Sequence, residues 1–286
     1  MITGKVIIND VDVKSTYGAY VIEGGFVDIP SIPDMKEPAI NDWYEYDGVE
    51  ADLESPCCEP LIHTVVFMMN GELDALDSFM KLIKSDRFVS FYMVDIARQL
   101  NVRIVSAIAE GIAIGLYRIT VVLSEDNPLE NVEYIAPENK KTPTGLTIDG
   151  NDISMYGMSI VDSLDWLYPG VDIKENLLHS SQYDNGESHY TGNDMDVTGD
   201  EVNDMPVTCN ANDIEISAIM TSKSFNQFWV KRNALALDLF RPNERVIAYK
   251  GVSKKAYYKS CRSSSFMYSG KIWWKFKLSF GYLGGE

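Results

Sequence analysis

The sequence predicts a mainly β (α+β) protein built from two tandem antiparallel split β-barrel or sandwich domains, each with one amphipathic helix. Three observations predict it. First, one short pattern occurs twice, about one domain length apart. It reads Ile7-Ile-Asn-Asp-Val-Asp-Val13 then Tyr17-Gly18-Ala19-Tyr20-Val21, and again Leu146-Thr-Ile-Asp-Gly-Asn-Asp-Ile153 then Tyr156-Gly157-Met158-Ser159-Ile160. One residue is gained or lost between the turn and the Tyr-Gly. Second, the order after each pattern recurs: a loop, a β-rich strand, one amphipathic helix, three or four strands, and a closing strand with basic residues among apolar ones (Arg118; Lys275 and Lys277). Third, a lone helix per copy cannot supply the crossovers of a parallel sheet. A twisted antiparallel sheet, or a partly closed barrel with a plugging helix, follows.

Taken in order, residues 5–13 and 19–29 run or alternate apolar between turn signals, which predicts a hairpin-like pair. Gly24-Gly25 marks a bulge or bend in the second run. Pro30, Pro33 and Pro38 exclude regular structure and predict a loop over 30–41. Asn41 to Gly48 is aromatic and acidic. Val49 to Leu53 reads as a short strand, stopped by Pro56 and Pro60. Leu61 to Met69 predicts a central strand closed by Asn70-Gly71. A helix is predicted over 73–84, with Leu73, Leu76, Met80 and Ile83 forming one apolar stripe. Its acidic residues lie early and its lysines late, as the macrodipole favours. Strands follow at Phe88–Val94, Val102–Ala109 and Ile114–Leu123. The apolar stretch from Ile104 to Leu123 is interrupted by Glu110, Gly111, Gly115 and Arg118, so it reads as paired strands and not a membrane span. Asp126-Asn-Pro128 closes the first domain, residues 1–128.

Residues 129–145, with Pro137, Lys140-Lys141, Pro143 and Gly145, predict a linker. The second domain spans 146–286. Trp166 to Ile173 holds a Tyr-Pro-Gly turn. Residues 180–206 are dense in Asp, Asn, Gly and Ser and predict a long mobile loop, longer than compact domains carry without a role. Asp213 to Thr221 is the counterpart of 61–69. A second helix is expected over Ser224–Phe240, ended by Arg241-Pro242. Its apolar positions are Phe225, Phe228, Trp229, Leu235 and Leu239. Strands are expected at Arg245–Tyr249, Ala256–Cys261, Ser265–Ser269 and Ile272–Tyr282.

Composition narrows the function. The net charge of −17 argues against free nucleic acid as a partner of the whole chain. Cys57, Cys58, Cys209 and Cys261 match neither zinc nor redox spacing, which predicts free thiols in a reducing compartment. Met1 leads straight into a strand-like segment, so synthesis in the cytoplasm without a signal peptide is expected.

No catalytic, cofactor-binding or metal residues are predicted. His63 sits in an apolar strand and reads as a satisfied buried or rim histidine. His179 and His189, beside Asp184 and Glu187, lack metal-ligand spacing, and the acidic loop lacks the pattern of a calcium site. No phosphate loop and no nucleophile elbow is present. Charge is uneven along the chain. Acidic residues dominate the first copy, whereas Lys223, Lys231, Arg232, Arg241, Arg245, Lys250, Lys254, Lys255, Lys259, Arg262, Lys271, Lys275 and Lys277 crowd the last part of the second. That asymmetry suits head-to-tail self-association.

The second copy carries a further signal: Phe228-Trp-Val-Lys-Arg-Asn-Ala-Leu-Ala-Leu-Asp-Leu-Phe240, Arg245-Val-Ile-Ala-Tyr249, Ala256-Tyr-Tyr-Lys-Ser260 and Trp273-Trp-Lys-Phe-Lys-Leu-Ser-Phe280. Together with the repeated anchor, this resembles the tail-tube-like β-barrel domains of tailed bacteriophages, especially distal tail (baseplate ring) and tail-hub proteins. The resemblance covers most of the second copy and extends more weakly to the first. It implies a virion structural protein, from a phage or prophage, that assembles as a trimer or hexamer into a ring or tube segment with other tail proteins. It implies no catalytic residues and no cofactor. Two alternatives stand beside it. One is a virion-displayed carbohydrate-binding or adhesin-like module using Trp43, Tyr44, Tyr46 and Trp166. The other is a cell-wall glycosidase using a carboxylate pair.

Overall fold

The computed structural model describes residues 3–22, 24–42, 48–130, 132–137, 142–161, 182–184, 187–189 and 213–283. The first half contains β1 (Val6–Ile8), β2 (Val11–Asp12), α1 (Val13–Tyr17), β3 (Ala19–Val21), β4 (Ile40–Asn41), β5 (Glu50–Ala51), β6 (Leu61–Asn70), α2 (Leu73–Ile83), β7 (Val89–Met93), β8 (Arg98–Ala113) and β9 (Leu116–Glu125). The second contains β10 (Leu146–Ile148), β11 (Asn151–Asp152), β12 (Met158–Ile160), β13 (Gln182–Asp184), β14 (Glu187–His189), β15 (Asp213–Ser222), α3 (Phe225–Leu239), β16 (Arg245–Tyr249), β17 (Val252–Tyr268) and β18 (Ile272–Tyr282).

Two seven-stranded antiparallel sheets result, one per half. Their orders are β2-β1-β7-β8-β9-β6-β3 and β11-β10-β16-β17-β18-β15-β12. Each strand of the first sheet has its counterpart at the same place in the second. The first curls toward closure: Val21 of β3 donates its N–H to the carbonyl of Gly4, just before β1, at 2.9 Å. The chain is thus mainly β, with one longer helix packed on each antiparallel sheet.

The repeated anchor has a physical explanation in each half. Asn9-Asp10 and Asp149-Gly150 all adopt positive φ, as the twist-matched two-residue hairpin turn requires. Asp12 and Asp152 then cap a single helical turn, accepting from Lys14 and Ser15 N–H and from Ser154 N–H respectively. Gly18 and Gly157 end those turns in the left-handed region. A Cβ would meet the Asn70 carbonyl at 2.5 Å from Gly18 and the Thr221 carbonyl at 2.8 Å from Gly157, so only glycine fits. The spacer before Tyr-Gly is therefore a helical turn, five residues long in one half and four in the other. That is the single-residue difference visible between the copies.

The register is also shared. Ala19 pairs with Met69 and Met69 with Tyr117; Met158 pairs with Met220 and Met220 with Trp274. From these anchors Ala107 opposite Val121 matches Cys261 opposite Leu278. A bulge interrupts β8 between Ile104 and Ser106 and β17 between Tyr258 and Ser260, at the same register position. Bulges bend a strand and deepen its twist, so both sheets curl at the same place.

Several sequence expectations are corrected. Residues 19–29 do not form one strand paired with 5–13. β3 stops at Val21 and pairs with β6, while β1 hairpins with β2; the glycines at 24 and 25 turn the chain away. Regular pairing in the 49–53 strand is confined to Glu50–Ala51. In α2 the buried stripe is Leu76, Phe79 and Ile83; Leu73 is exposed because it lies at the first turn, beyond the sheet. The strands expected at 256–261 and 265–269 are one continuous β17. Between them Trp274 Nε1–H donates to Ser263 Oγ at 3.0 Å, giving that polar position a partner on the neighbouring strand. Within 180–206, β13 and β14 pair antiparallel; the rest of that expected loop lies outside the described residues.

Candidate assembly surface

The two halves meet along the free edge of β17 and along α3. Residues 24–31 run as successive turns: Val27 N–H donates to Gly24 O at 3.3 Å, Ile29 to Phe26 at 3.2 Å and Ser31 to Asp28 at 3.1 Å. This path buries Phe26, Ile29 and Ile32. The segment then follows β17. Met35 N–H donates to the carbonyl of Lys259, the bulge residue, at 2.9 Å. Tyr258 Oη–H donates to Pro33 O at 2.9 Å and Ser263 Oγ–H to Val27 O at 2.6 Å. Arg262 pairs with Asp34 at 3.0 Å. Cys261 is buried at this edge, and burial pushes its thiol up to about 12.

Arg232 of α3 is buried against the same segment. Its guanidinium donates to Pro30 O at 3.1 Å, to Ser31 O, and to Asn233 Oδ1 at 3.1 Å. Burial, then the nearby Arg98, lowers its pKa to about 10, which leaves it charged at neutral pH. Trp229 Nε1–H donates to Ile96 O at 2.7 Å, and Arg98 lies over the Trp229 ring, 5.0 Å from its centre. Arg98 in turn lies 3.8 Å from Glu125, whose other oxygen is 3.5 Å from His63 Nε2. Burial raises the Glu125 pKa, but His63, Arg98 and Arg232 together lower it below the usual carboxylate value. Each half supplies charge to this junction, and the low dielectric makes every one of those pairings matter.

A second contact involves the stretch expected to be a linker. Tyr134 Oη–H donates to Asp238 Oδ2 at 3.3 Å, and Arg241 lies over the Tyr134 ring. Tyr156 Oη–H donates to the same Asp238 oxygen, and Arg241 pairs with the other. Burial first, then Asp238, holds the Tyr156 phenol well above its ordinary pKa. Asn243 N–H donates to Leu53 O at 2.9 Å.

The matching edge of the first half is uncovered among the described residues. β7 pairs with β8 only as far as Val102. From Arg103 to Ala113, β8 is paired with β9 on one side, and no described backbone donor reaches its other edge. Val105, Ile108, Ile112 and Ile114 are each at least 50 % exposed. The outer face of this sheet continues the apolar character through Ile62, Val66, Met68 and Val122. At the matching register positions the second sheet carries Asp213, Ser217, Ile219 and Ser279. There Lys277–Glu215 and Lys259–Asp213 form ion pairs at 2.7 Å each.

These placements decide several sequence readings. His63 takes the buried of the two expected placements, but it is not fully satisfied: its Nδ1 has no hydrogen-bond partner. Arg232 and Arg245 do not belong to a basic surface: both are buried. Arg245 holds Asp149 at 2.7 Å and the carbonyls that follow α3. Cys57, Cys58 and Cys261 are free thiols; Cys209 lies outside the described residues. So do Trp43, Tyr44, Tyr46, Trp166 and His179. No group of three or more His, Cys, Asp or Glu among the described residues is arranged to hold a metal ion. No helix among them is long and apolar enough to cross a membrane. The covering segment at 24–35 was missed as a site. Its signal was the apolar set Phe26, Ile29 and Ile32 inside a stretch whose glycines and prolines deny it a sheet of its own.

No protein-family model and no curated protein matches the chain. Among solved structures, it is similar to the SPP1 Dit (gp 19.1) protein, described as a paradigm of the hub adsorption apparatus in Gram-positive infecting phages. The TM-score is 0.34 at 13% identity, over 56% of this chain and 65% of that one, less than two thirds of that protein's own length. A second similar structure is the Borreliella burgdorferi PlzA protein in complex with c-di-GMP. There the TM-score is 0.17 at 8% identity, over 94% of this chain and 89% of that one. Neither similarity carries a function to this chain.

Proposed function

We propose that this chain is a non-enzymatic structural protein of a phage or prophage tail, of the distal tail or hub type. In this reading it is made in the bacterial cytoplasm, divides into domains 1–128 and 146–286 joined by 129–145, and self-assembles into a ring or tube segment with other tail proteins. One observation carries the reading. Two units of the same topology meet through unlike surfaces: the 24–35 segment of the first lies on the β17 edge of the second. A contact of that kind between like units is heterologous, and it leaves one partner surface unused at each end. Further copies then add head to tail until the ring closes. The buried Asp238 and the partly buried Glu125 are engaged by Arg98, Arg241 and Tyr156, which suits a structural role better than acid–base work.

Sedimentation velocity over a concentration series, with negative-stain imaging of any heavy species, tests this. Closed trimers or hexamers with a central hole are expected. Irregular aggregates without a hole, or a monomer that also ignores tail proteins, would sink the reading.

A further inference from the structure

We infer that the bare stretch of β8, residues 103–113, is a docking surface for the second half of another copy of this chain. The inference rests on the self-assembling reading above and assigns its missing contact. Its basis is the register match between β8 and β17. The bulge residue Lys259 gives its carbonyl to Met35 N–H; Val105 holds the matching place in β8 and has no such donor among the described residues. Cys261 is buried at the covered edge, while Ala107, at the same position, is only half-buried. Among the described residues the same structural edge is thus covered once within the chain and left open once.

The open edge has the character of a contact surface. An edge strand with a long row of unpaired backbone groups and exposed apolar side chains templates further pairing unless charge, proline or a covering segment blunts it. On β8 only Arg103 and Glu110 carry charge along this stretch, and proline is absent. Val105, Ile108, Ile112 and Ile114 project there with 50% to full exposure. Monomeric proteins seldom leave such clusters in water.

Charge favours a second copy as the occupant. The first half exposes Glu72, Asp74, Asp77 and Asp86 around α2. In the second half, Lys271 and Lys275 are exposed and form no ion pair with another described residue. Residues 213–283 carry 13 Lys and Arg against 4 Asp and Glu, whereas residues 1–128 carry 9 against 21, so this basic part of one copy is drawn to the acidic first half of the next.

Two full-length variants test the docking surface. The first is Ile108→Lys with Ile112→Lys. Both side chains are exposed, so folding is preserved, and near-UV circular dichroism checks it. Sedimentation velocity is expected to show association weakened about tenfold or more relative to the parent chain. The second is Ala107→Cys, labelled with a maleimide and read peptide by peptide by mass spectrometry. The introduced thiol is expected to react readily in dilute monomer and to be protected in the assembled species. Cys261 should stay protected in both, because its cover lies within the chain. Association unchanged by the two lysines, or an introduced thiol equally reactive in monomer and assembly, overturns the docking surface and leaves the ring reading standing. A parent chain that stays monomeric at every concentration overturns the surface as well. If tail proteins then fail to recruit it, the tail reading falls separately.

Discussion

The two halves share strand order, turn chemistry, bulge position and register, yet they differ in what covers them. The second half is finished within the chain: the 24–35 segment closes the β17 edge, α3 packs on its inner face, and ion pairs occupy its outer face. The first half has the shorter α2, an open β8 edge and apolar outer positions. A duplicated unit therefore keeps its backbone program while its surfaces diverge. Register depends on the inward positions and the turns, which are retained. Outer positions are free to change with the neighbour each half meets.

The inner cores allow the largest test of this comparison. Trp274 is fully buried, in T-shaped contact with Phe228 at 5.9 Å. Tyr117 holds the matching register position but is only half-buried. Trp274→Ala is expected to cost about 4 kcal/mol, because it removes a large side chain from a site that cannot collapse. Tyr117→Ala is expected to cost about half as much, in proportion to the smaller area it loses from burial. Urea unfolding curves for the two variants check this. Equal losses would mean the halves are equally packed and the comparison fails.

The junction comes next. Arg232→Met keeps most of the side-chain volume but leaves the carbonyls of Pro30 and Ser31 without their donors. A cost of about 3 kcal/mol is expected, since charge-assisted donors to buried acceptors are lost. The exposed Lys277–Glu215 pair provides the contrast: Lys277→Met should change stability by less than about 0.5 kcal/mol. Denaturant midpoints measure both. If Arg232→Met proves neutral, the segment is held by its apolar residues alone. Protease sensitivity near residues 24–35 would then stay at the parent level instead of rising.

The backbone program was legible and the division of labour between surfaces was not. The anchor Tyr-Gly pairs, the alternation in 61–69 and 213–221, and the helical spacing from Phe225 to Leu239 encode inward faces through short-range periodicity. A single sequence carries that information directly. The 24–35 segment offers no period. Phe26, Ile29 and Ile32 are buried in a segment whose bonded partners lie more than two hundred residues away in sequence, as where Val27 O accepts from Ser263 of β17. Arg232 shows the same limit. Beside Lys231 it reads as a surface cation, and only the two carbonyls that reach it from the other half make it a core residue. The bare β8 edge was half visible: Ile104 to Leu123 read as paired strands, but a missing neighbour leaves no mark in the sequence.

The smallest effect separates the two capping aspartates. Asp12 and Asp152 occupy the same position and both have lowered pKa values, for different reasons. The Lys5 ammonium, at 2.8 Å, is the main cause for Asp12. Asp152 works against burial, and hydrogen bonds from Ser154, Thr144 and Gly145 still bring it to about 2. A carboxylate whose folded pKa lies below its unfolded value binds fewer protons when folded. Its stabilisation is present above the unfolded value and is lost as pH falls through the folded one. For Asp152 that window runs from the ordinary aspartate value of 3.8 down to about 2, so the second half's cap should outlast mild acid. Salt distinguishes the two causes, because it screens the half-exposed Lys5–Asp12 pair but not backbone donors at short range. Carboxyl-carbon NMR titrations at low and high salt are expected to show the Asp12 midpoint rising with salt and the Asp152 midpoint holding. A salt-sensitive Asp152 would mean that its cap, too, depends on a nearby cation, and the two halves would then be alike at the one place where their sequences match best.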